Sequence, residues 1–409
     1  MRSFLIPLLL ITQLSLIAQP TEWVGPTITC FARDTSQTVF LPPIDLVLNG
    51  MGTPGSTFEL DFTSDVPLEA QQALTFAAEI WGLYLVSSVP VRVEVDWQDR
   101  MDNRLLASAG PTTVQRAFAG SANPFIWYPV ALTEAITGQN QNGNAPDIRI
   151  IVNSTANWYF GIDGQTPFNQ IDLVSVTLHE LGHGIGFLAT TDTISTTQAE
   201  YGIQGLPIIY DSFVEDDNGV AMTNETAYPN PSTNLLDLIT VEEAFFGGPN
   251  TVLAFNGPPP LFTPGLFDIG SSVSHLCEFE FSSGSENALM TPQISRGEAI
   301  HDPGSGTLAM LQDMGWTINS EVLSINEIFS STLHIHPNPS SGVFTFEVPE
   351  RAGLGDRYLV YNLSGQEVSS GQIHRSGLES VDLTDLSAGS YFLVLRGENS
   401  IWREKIVKE

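Results

Sequence analysis

The residues whose types and spacing carry the clearest chemistry are His179-Glu180-Leu181-Gly182-His183. Two histidines four positions apart lie on the same face of an α-helix, about one turn from each other. Both imidazoles can therefore reach one Zn²⁺ ion at the roughly 2.0–2.1 Å that zinc–nitrogen bonds require. Glu180 follows the first histidine and can take a proton from a water molecule that the metal activates. The pattern predicts a catalytic zinc site with two histidine ligands and a glutamate general base.

The neighbouring residues predict the helix that must carry this pattern. Residues 171–178 are apolar enough for a core helix, and Asp172 can cap its N-terminus. Gly184 and Gly186 then end the helix where the chain has to turn away from the metal. We therefore expect a buried zinc helix that begins near Asp172.

Periodicity predicts both strands and helices in the rest of the chain. The predicted elements are strands over 58–62, 89–97 and 147–152, a helix over 67–85, a strand over 210–214 and a last helix over 306–314. Their order favours an α+β fold in which the zinc helix packs on a twisted sheet.

Composition divides the 409 residues into five segments. Arg2 and a short apolar stretch that ends at Ala18 are typical of a secretory signal, and no later segment is long enough to cross a bilayer. Short alternating strands near the C-terminus indicate a small antiparallel β-sandwich. The predicted segments are a signal peptide over 1–18, an N-terminal extension or short pro-segment over 19–56, a catalytic domain over 57–318, a linker over 319–332 and a C-terminal domain over 333–409.

The net charge of −31 comes from 46 acidic residues against 15 basic ones, and no lysine occurs before Lys405. Such a surface repels nucleic acid and anionic membranes. The charge therefore argues against a nucleic-acid partner, and the hydropathy argues against an integral membrane protein. An exported chain that acts on other molecules in solution fits both observations.

Cys30 and Cys277 are the two cysteines of a chain that we expect to be exported. A disulfide between them can persist in an oxidising compartment and would tie the N-terminal segment to the main domain. In the alternative interpretation, Cys30 is a thiolate ligand that keeps the zinc site latent, because thiolates bind zinc strongly.

A second metal is conceivable at the acidic turn over residues 215–219, which could bind Ca²⁺. The spacing of its oxygen ligands matches no calcium loop of known pattern. A solvated turn is therefore the better interpretation, and Ca²⁺ stays an unsupported option.

The third zinc ligand does not follow from the helix itself. A catalytic zinc usually has three protein ligands and one open position. The commonest long form of the motif has a third histidine where this chain has Ala189. His275, His301 and a carboxylate remain as candidates, since zinc accepts all three kinds of ligand.

The zinc helix, Gly186 and residues 286–292 (ENALMTP) together resemble the metzincin metalloproteases. In that clan a methionine follows the third histidine and forms a hydrophobic floor beneath the metal, which corresponds here to Met290. A leishmanolysin-like layout has a long insertion before the third histidine. The resemblance thus implies a metzincin-like catalytic domain over about 57–318, with His275 as third ligand because His301 follows the methionine.

The C-terminal residues resemble a type IX secretion sorting domain through four motifs in a fixed order. These are HPNPSSG at 336–342, VYNLSG at 360–365, LSAGSY at 386–391 and the ending KIVK at 405–408. The resemblance implies a Gram-negative bacterium, passage through the outer-membrane secretion machinery, and a secreted or cell-surface location. It also makes His334, His336 and His374 bystanders to the chemistry.

These observations together predict a secreted zinc endopeptidase whose substrates are proteins or peptides. Zn²⁺ is bound by His179, His183 and His275, and Glu180 activates the attacking water. Two alternatives remain: a zinc hydrolase of another clan with an acidic third ligand, and a non-catalytic surface-binding or adhesion protein with a vestigial site.

Overall fold

The computed structural model describes residues 21–42, 53–102, 104–241, 244–319, 335–348, 357–362, 367–373, 377–396 and 401–409. The predicted signal peptide and nearly all of the predicted linker lie outside these residues. Contacts divide the chain into two compact units, Met1–Thr317 and Ile318–Glu409.

The helices are α1 (Leu68–Tyr84), α2 (Val130–Thr137), α3 (Leu173–Gly184), α4 (Thr233–Leu238), α5 (Pro249–Phe255) and α6 (Ser305–Met314), with a 3₁₀ turn at Tyr210–Phe213. The strands up to residue 318 are β1 (Thr21–Val24), β2 (Ile28–Leu41), β3 (Phe58–Phe62), β4 (Leu85–Val86), β5 (Val91–Gln98), β6 (Leu105–Pro111), β7 (Thr113–Arg116), β8 (Tyr128–Pro129), β9 (Ile148–Asn153), β10 (Trp158–Tyr159), β11 (Ile171–Asp172), β12 (Asp192–Ser195), β13 (Gln198–Glu200), β14 (Val214–Glu215), β15 (Phe245–Phe246), β16 (Gln293–Ile300) and β17 (Thr317–Ile318). The strands beyond them are β18 (Ile335–His336), β19 (Val343–Val348), β20 (Arg357–Asn362), β21 (Glu367–Gln372), β22 (Gly377–Asp382), β23 (Gly389–Arg396) and β24 (Ile401–Lys408).

A six-stranded sheet with the order β16-β2-β6-β9-β5-β3 supports the first unit. Strands β3, β5 and β9 run parallel to one another, whereas β6 is antiparallel to β9. Helices α1 and α3 pack on each other, and α3 packs on β6. Valines at 91, 93 and 95 are buried while the residues between them are partly exposed, as the two-residue period of a strand requires. The sheet thus gives the zinc helix a rigid apolar base.

Strand β2 of the N-terminal segment is part of this sheet, and β1 pairs with β7 in a separate three-stranded sheet. Strand β2 pairs antiparallel with β6 on one side and parallel with β16 on the other. Ile28, Cys30 and Ala32 are buried at every second position. This alternation is short and is followed by polar residues, which is why composition suggested a loose segment over 19–56. The structure corrects that interpretation for the described residues 21–42.

The predicted fold class, an α+β metzincin-like catalytic domain, is wrong. Among the described residues most of the regular secondary structure is β-strand, and the first unit has a three-stranded sheet and several two-stranded ones besides the six-stranded sheet. Periodicity locates single elements, and β3 spans Phe58–Phe62 as predicted. It does not determine which strands pair. The expected class depends on a resemblance between short motifs, and such motifs do not specify the sheets around them.

The predicted strand over 210–214 is also wrong, because the chain forms the 3₁₀ turn there and extends only from Val214. Asp211 is buried and accepts hydrogen bonds from the backbone amides of Thr190 and Ile208. A side chain that satisfies local amides competes with strand pairing. The apolar run at this point is therefore buried without being a strand.

The C-terminal unit consists of two antiparallel sheets, β18-β19-β22 and β21-β20-β23-β24. Its core is apolar and draws on both sheets; the members include Phe344, Phe346, Val360, Val381, Leu393, Leu395 and Ile406. Among the described residues of this unit, none belongs to a group that could hold a metal ion.

Candidate metal centre

Helix α3 carries the two histidines of the motif and begins as the sequence predicts. Asp172 is the N-cap, and its carboxylate accepts a hydrogen bond of 2.8 Å from the amide of Ser175. The helix ends at Gly184, and Gly186 follows with a φ of 126°, a conformation that favours glycine. All twelve residues of the helix are buried. The predictions of the cap and of the helix end are confirmed.

His179 and His183 bring their Nε2 atoms to 3.0 Å from each other. The Nδ1–H of His179 donates to the carbonyl of Leu289 at 2.7 Å, and that of His183 donates to the carbonyl of Phe187 at 2.6 Å. Because Nδ1 holds the proton in each ring, Nε2 presents a free lone pair. The backbone therefore fixes both the orientation and the tautomer that a metal ligand needs.

His275 joins these two residues from a loop far along the chain. Its Nε2 lies 3.2 Å from that of His183 and 3.3 Å from that of His179, and its Nδ1–H donates to the carbonyl of Ser271 at 2.8 Å. Contacts between three unprotonated nitrogens are not hydrogen bonds. Three lone pairs that point at one place repel each other unless a cation lies between them.

The geometry and the electrostatics of the three imidazoles fit Zn²⁺. Ligand atoms at tetrahedral angles and roughly 2.0–2.1 Å from an ion lie about 3.3 Å apart, close to the three separations observed. Burial lowers the pKa of His179 to about 4 and, with the charge of His179, that of His275 to about 3. Burial and the two neighbouring rings also lower the pKa of His183. All three rings are thus neutral near pH 7, as metal ligands must be.

Glu180 lies beside this cluster and has an unusual environment. The side chain is fully buried, and neither carboxylate oxygen has a hydrogen-bond partner among the described residues. Burial raises the pKa of its carboxyl group. An unpaired buried carboxylate is costly for folding, so it points to a role with an ion or a substrate.

Met290 forms part of the apolar surface behind the histidines. A Cβ atom at Gly182 would lie 2.8 Å from the Met290 sulfur, so the helix and the methionine approach as closely as only glycine permits. The indole of Trp81 donates to the carbonyl of Leu178 at 2.9 Å, and its ring lies 3.6 Å from the same Cβ position at Gly182. Met290 and Trp81 thus both pack against helix α3 at Gly182.

Cys30 lies close to the same cluster. Its Sγ, a ring nitrogen of His179 and a carboxylate oxygen of Glu180 are all within 4.8 Å of one another. Burial, reinforced by the charge of Glu180, raises the pKa of the Cys30 thiol. Cys30 does not share a group with His183 and His275, so the interpretation of Cys30 as a ligand to the ion held by the three histidines gains only its proximity to His179. Cys277 is partly exposed on a loop.

Both cysteines are free thiols, so the predicted disulfide is wrong for this structure. We expect the purified protein to show two reactive thiols after unfolding without reductant. Because a disulfide removes two hydrogens, intact mass spectrometry with and without reduction gives a direct comparison. A mass increase of two hydrogens on reduction would contradict the free-thiol state.

The remaining candidates lie elsewhere. His301 is fully buried with its Nε2 2.9 Å from the carboxylate of Asp172, at the N-terminus of the zinc helix and outside the histidine cluster. In the acidic turn, Asp216 accepts from the amides of Asn218 and Val220 and from the hydroxyl of Tyr228. Protein donors thus occupy the oxygens of this aspartate, and no potential metal group among the described residues includes the turn.

Removal of zinc is expected to destabilise the first unit. An ion that binds only the folded state adds RT ln(1 + [Zn²⁺]/Kd), about 4 kcal/mol at a thousandfold excess over Kd. Thermal unfolding with added zinc and with a chelator measures this difference. Equal unfolding temperatures in the two conditions would contradict a zinc site at the three histidines.

The comparison with protein families identifies the C-terminal unit. Residues 334–409 match the family described as secretion system C-terminal sorting domain. This unit is a type IX secretion sorting domain. The sorting domain directs the chain through the secretion machinery to the cell surface or the extracellular space, as predicted. Among the described residues, no helix is long and apolar enough to cross a membrane.

The region that contains the zinc helix matches a less informative family. Residues 86–213 match the family described as SPBPB7E8-like. A stretch of 113 residues is 28% identical to the uncharacterized protein PB7E8.01 of Schizosaccharomyces pombe. The match covers 24% of this chain and 20% of that protein. Because that protein is uncharacterized, the match neither supports nor opposes the prediction of a zinc hydrolase.

Two solved structures are similar to short parts of the chain. One is a duf3244 family protein from Bacteroides vulgatus with an immunoglobulin-like β-sandwich fold. It is 16% identical with a TM-score of 0.15, and the match covers 17% of this chain and 78% of that one. The other is the BSP domain of a biofilm associated protein. It is 18% identical with a TM-score of 0.18, and the match covers 20% of this chain and 16% of that one.

Proposed function

We propose that this exported chain is a zinc-dependent endopeptidase. The observation that carries the proposal is the set of three Nε2 atoms 3.0–3.3 Å apart, with the unpaired carboxylate of Glu180 beside them. His179, His183 and His275 would hold the ion. When bound, zinc supplies Lewis acidity and lowers the pKa of water toward roughly 7.

Glu180 provides the proton transfers that the hydrolysis of an amide requires. Its carboxylate accepts the proton of the attacking water and returns it to the nitrogen of the leaving amine. Burial alone favours its neutral form, and a neighbouring dication favours the carboxylate. The base is thus in its active form when the three histidines are loaded.

The interpretation with an acidic third ligand has no support in the arrangement of side chains. Among the described residues, the potential metal groups contain one carboxylate, that of Glu180. His275 supplies a third imidazole beside His179 and His183, so the proposed three-ligand set needs no acidic residue.

A second candidate is a surface protein that binds zinc without hydrolytic activity. The observation in its favour is burial, since His179 is 3% exposed and Glu180, His183 and His275 are 0% exposed. The rest of the protein thus covers these four side chains almost completely. The sorting domain suits a surface-binding role as well as a secreted enzyme.

Metal analysis together with a cleavage assay distinguishes the two candidates. We expect the purified full-length chain to contain one zinc ion and to cleave an unfolded protein such as reduced casein, with cleavage stopped by a chelator. Zinc without cleavage, after extended incubation and over a range of substrates, would favour the binding protein. Absence of both would reject the metal site itself.

A further inference from the structure

In the long segment between His183 and His275, one side chain contacts residues near both of these histidines. This side chain is Tyr210, which is fully buried in the 3₁₀ turn. The motif does not include it, and the proposed reaction does not use it. Its contacts nevertheless reach Phe187, whose carbonyl orients His183, and Val273, which lies two residues from both Ser271 and His275.

The hydroxyl of Tyr210 reaches the loop of the third ligand. It donates a hydrogen bond of 2.9 Å to the carbonyl of Val273, two residues before His275. Burial raises the pKa of Tyr210, so the hydroxyl keeps its proton and remains a donor. The hydroxyl is therefore a donor at neutral pH.

Val273 needs such a contact because its backbone is strained. Its φ is 65°, and left-handed backbone is uncommon for a β-branched residue. Conformations of this kind persist only where the surroundings enforce them. The amide of Val273 donates to the carbonyl of Phe262 at 2.7 Å, so Phe262 and Tyr210 hold the residue through both of its backbone polar groups. Between them they fix the turn from Ser271 to His275.

The ring of Tyr210 packs near His183, the second proposed ligand. Its centroid lies 5.3 Å from that of Phe187, whose carbonyl accepts the Nδ1–H of His183. On another side it lies 5.1 Å from the ring of Phe246. Both phenylalanines are fully buried, so the tyrosine has little freedom to move.

We propose that Tyr210 is a positioning residue that holds His183 and His275 in zinc-binding geometry. The proposal rests on the metal site put forward above and assigns a purpose to the segment between the two histidines. Partners that orient metal ligands typically contribute 10- to 100-fold to metal affinity. A single hydroxyl that supports a strained turn is expected to act on that scale.

The test is the zinc affinity of Tyr210→Phe, which removes one oxygen and keeps the ring. We expect the dissociation constant to rise 10- to 100-fold in a chelator competition assay. With cobalt in place of zinc, the visible absorption bands should shift, because His275 changes its orientation. Tyr84→Phe is the matched control, since Tyr84 is also buried and its hydroxyl donates to Asp302 at 2.8 Å, away from the ligands.

The outcomes separate this inference from the proposed site. If the unchanged protein binds no zinc, the site itself fails. If it binds zinc and the two tyrosine variants lose affinity equally or not at all, the positioning role of Tyr210 is overturned. Should Tyr210→Phe not fold, Phe187→Leu removes the ring contact instead, and an unchanged zinc affinity in that variant would also overturn the role.

Discussion

Glu180→Gln is expected to leave zinc bound while peptide cleavage falls at least ~10²-fold, the usual contribution of a general base. Glutamine has the same shape as glutamate but cannot accept the proton of the attacking water. The three imidazoles are untouched, so metal content should equal that of the unchanged protein. Cleavage of a fluorogenic unfolded substrate, normalised to zinc content, measures the effect.

Glu134→Gln is the matched control for this change. Glu134 is 1% exposed, and one of its carboxylate oxygens also lacks a partner among the described residues, but it lies outside the potential metal groups. Its replacement should leave cleavage within about twofold of normal. Near-normal cleavage by Glu180→Gln would exclude this glutamate from the reaction. An equal loss in both variants would indicate a general effect of altering buried carboxylates.

His275→Ala is expected to weaken zinc binding by more than ~10²-fold, beyond the 10- to 100-fold typical of an outer partner. The variant removes one of three ligands and leaves two lone pairs on helix α3 that no longer define a tetrahedral site. Cleavage should disappear with the metal. Zinc analysis after dialysis against a weak chelator provides the measurement.

His301→Ala tests whether any buried histidine would have the same effect. His301 is also 0% exposed, but its Nε2 pairs with Asp172 rather than with the cluster. We expect the variant to retain zinc and to lose stability, about 3 kcal/mol for a broken buried pair. His301→Gln, which keeps a donor, should lose less. Zinc retained in His275→Ala and lost in His301→Ala would reverse the assignment.

The local features of the site were predictable because they depend on residues near one another in sequence. The cap at Asp172, the helix end at Gly184 and the shared face of His179 and His183 all follow from helix geometry. The prediction of His275 as third ligand depends on a resemblance, since no local pattern indicates which distant histidine lies beside helix α3 in the fold.

The sheet could not be predicted, because its pairings join residues that no periodicity relates. The three buried positions from Ile28 to Ala32 are too few to mark β2 as a central strand. The position of Tyr210 could not be predicted from the sequence for a different reason. Its neighbourhood has the apolar alternation of a strand, and only the burial of Asp211 and the rings around Tyr210 reveal the turn.

Strand β2 has a consequence for how the first unit assembles. Thr35 on β2 and Ser295 on β16 have their hydroxyls 3.0 Å apart although 260 residues separate them in sequence. Pairings of such long range slow folding, because the entropy of closing the loop is lost before the contacts form. His275 lies just before β16, so the segment that completes the sheet is also the segment that completes the ligand set. A chain still being synthesised therefore carries the two histidines of helix α3 without His275, and the proposed metal centre can form only when nearly the whole unit is available to fold.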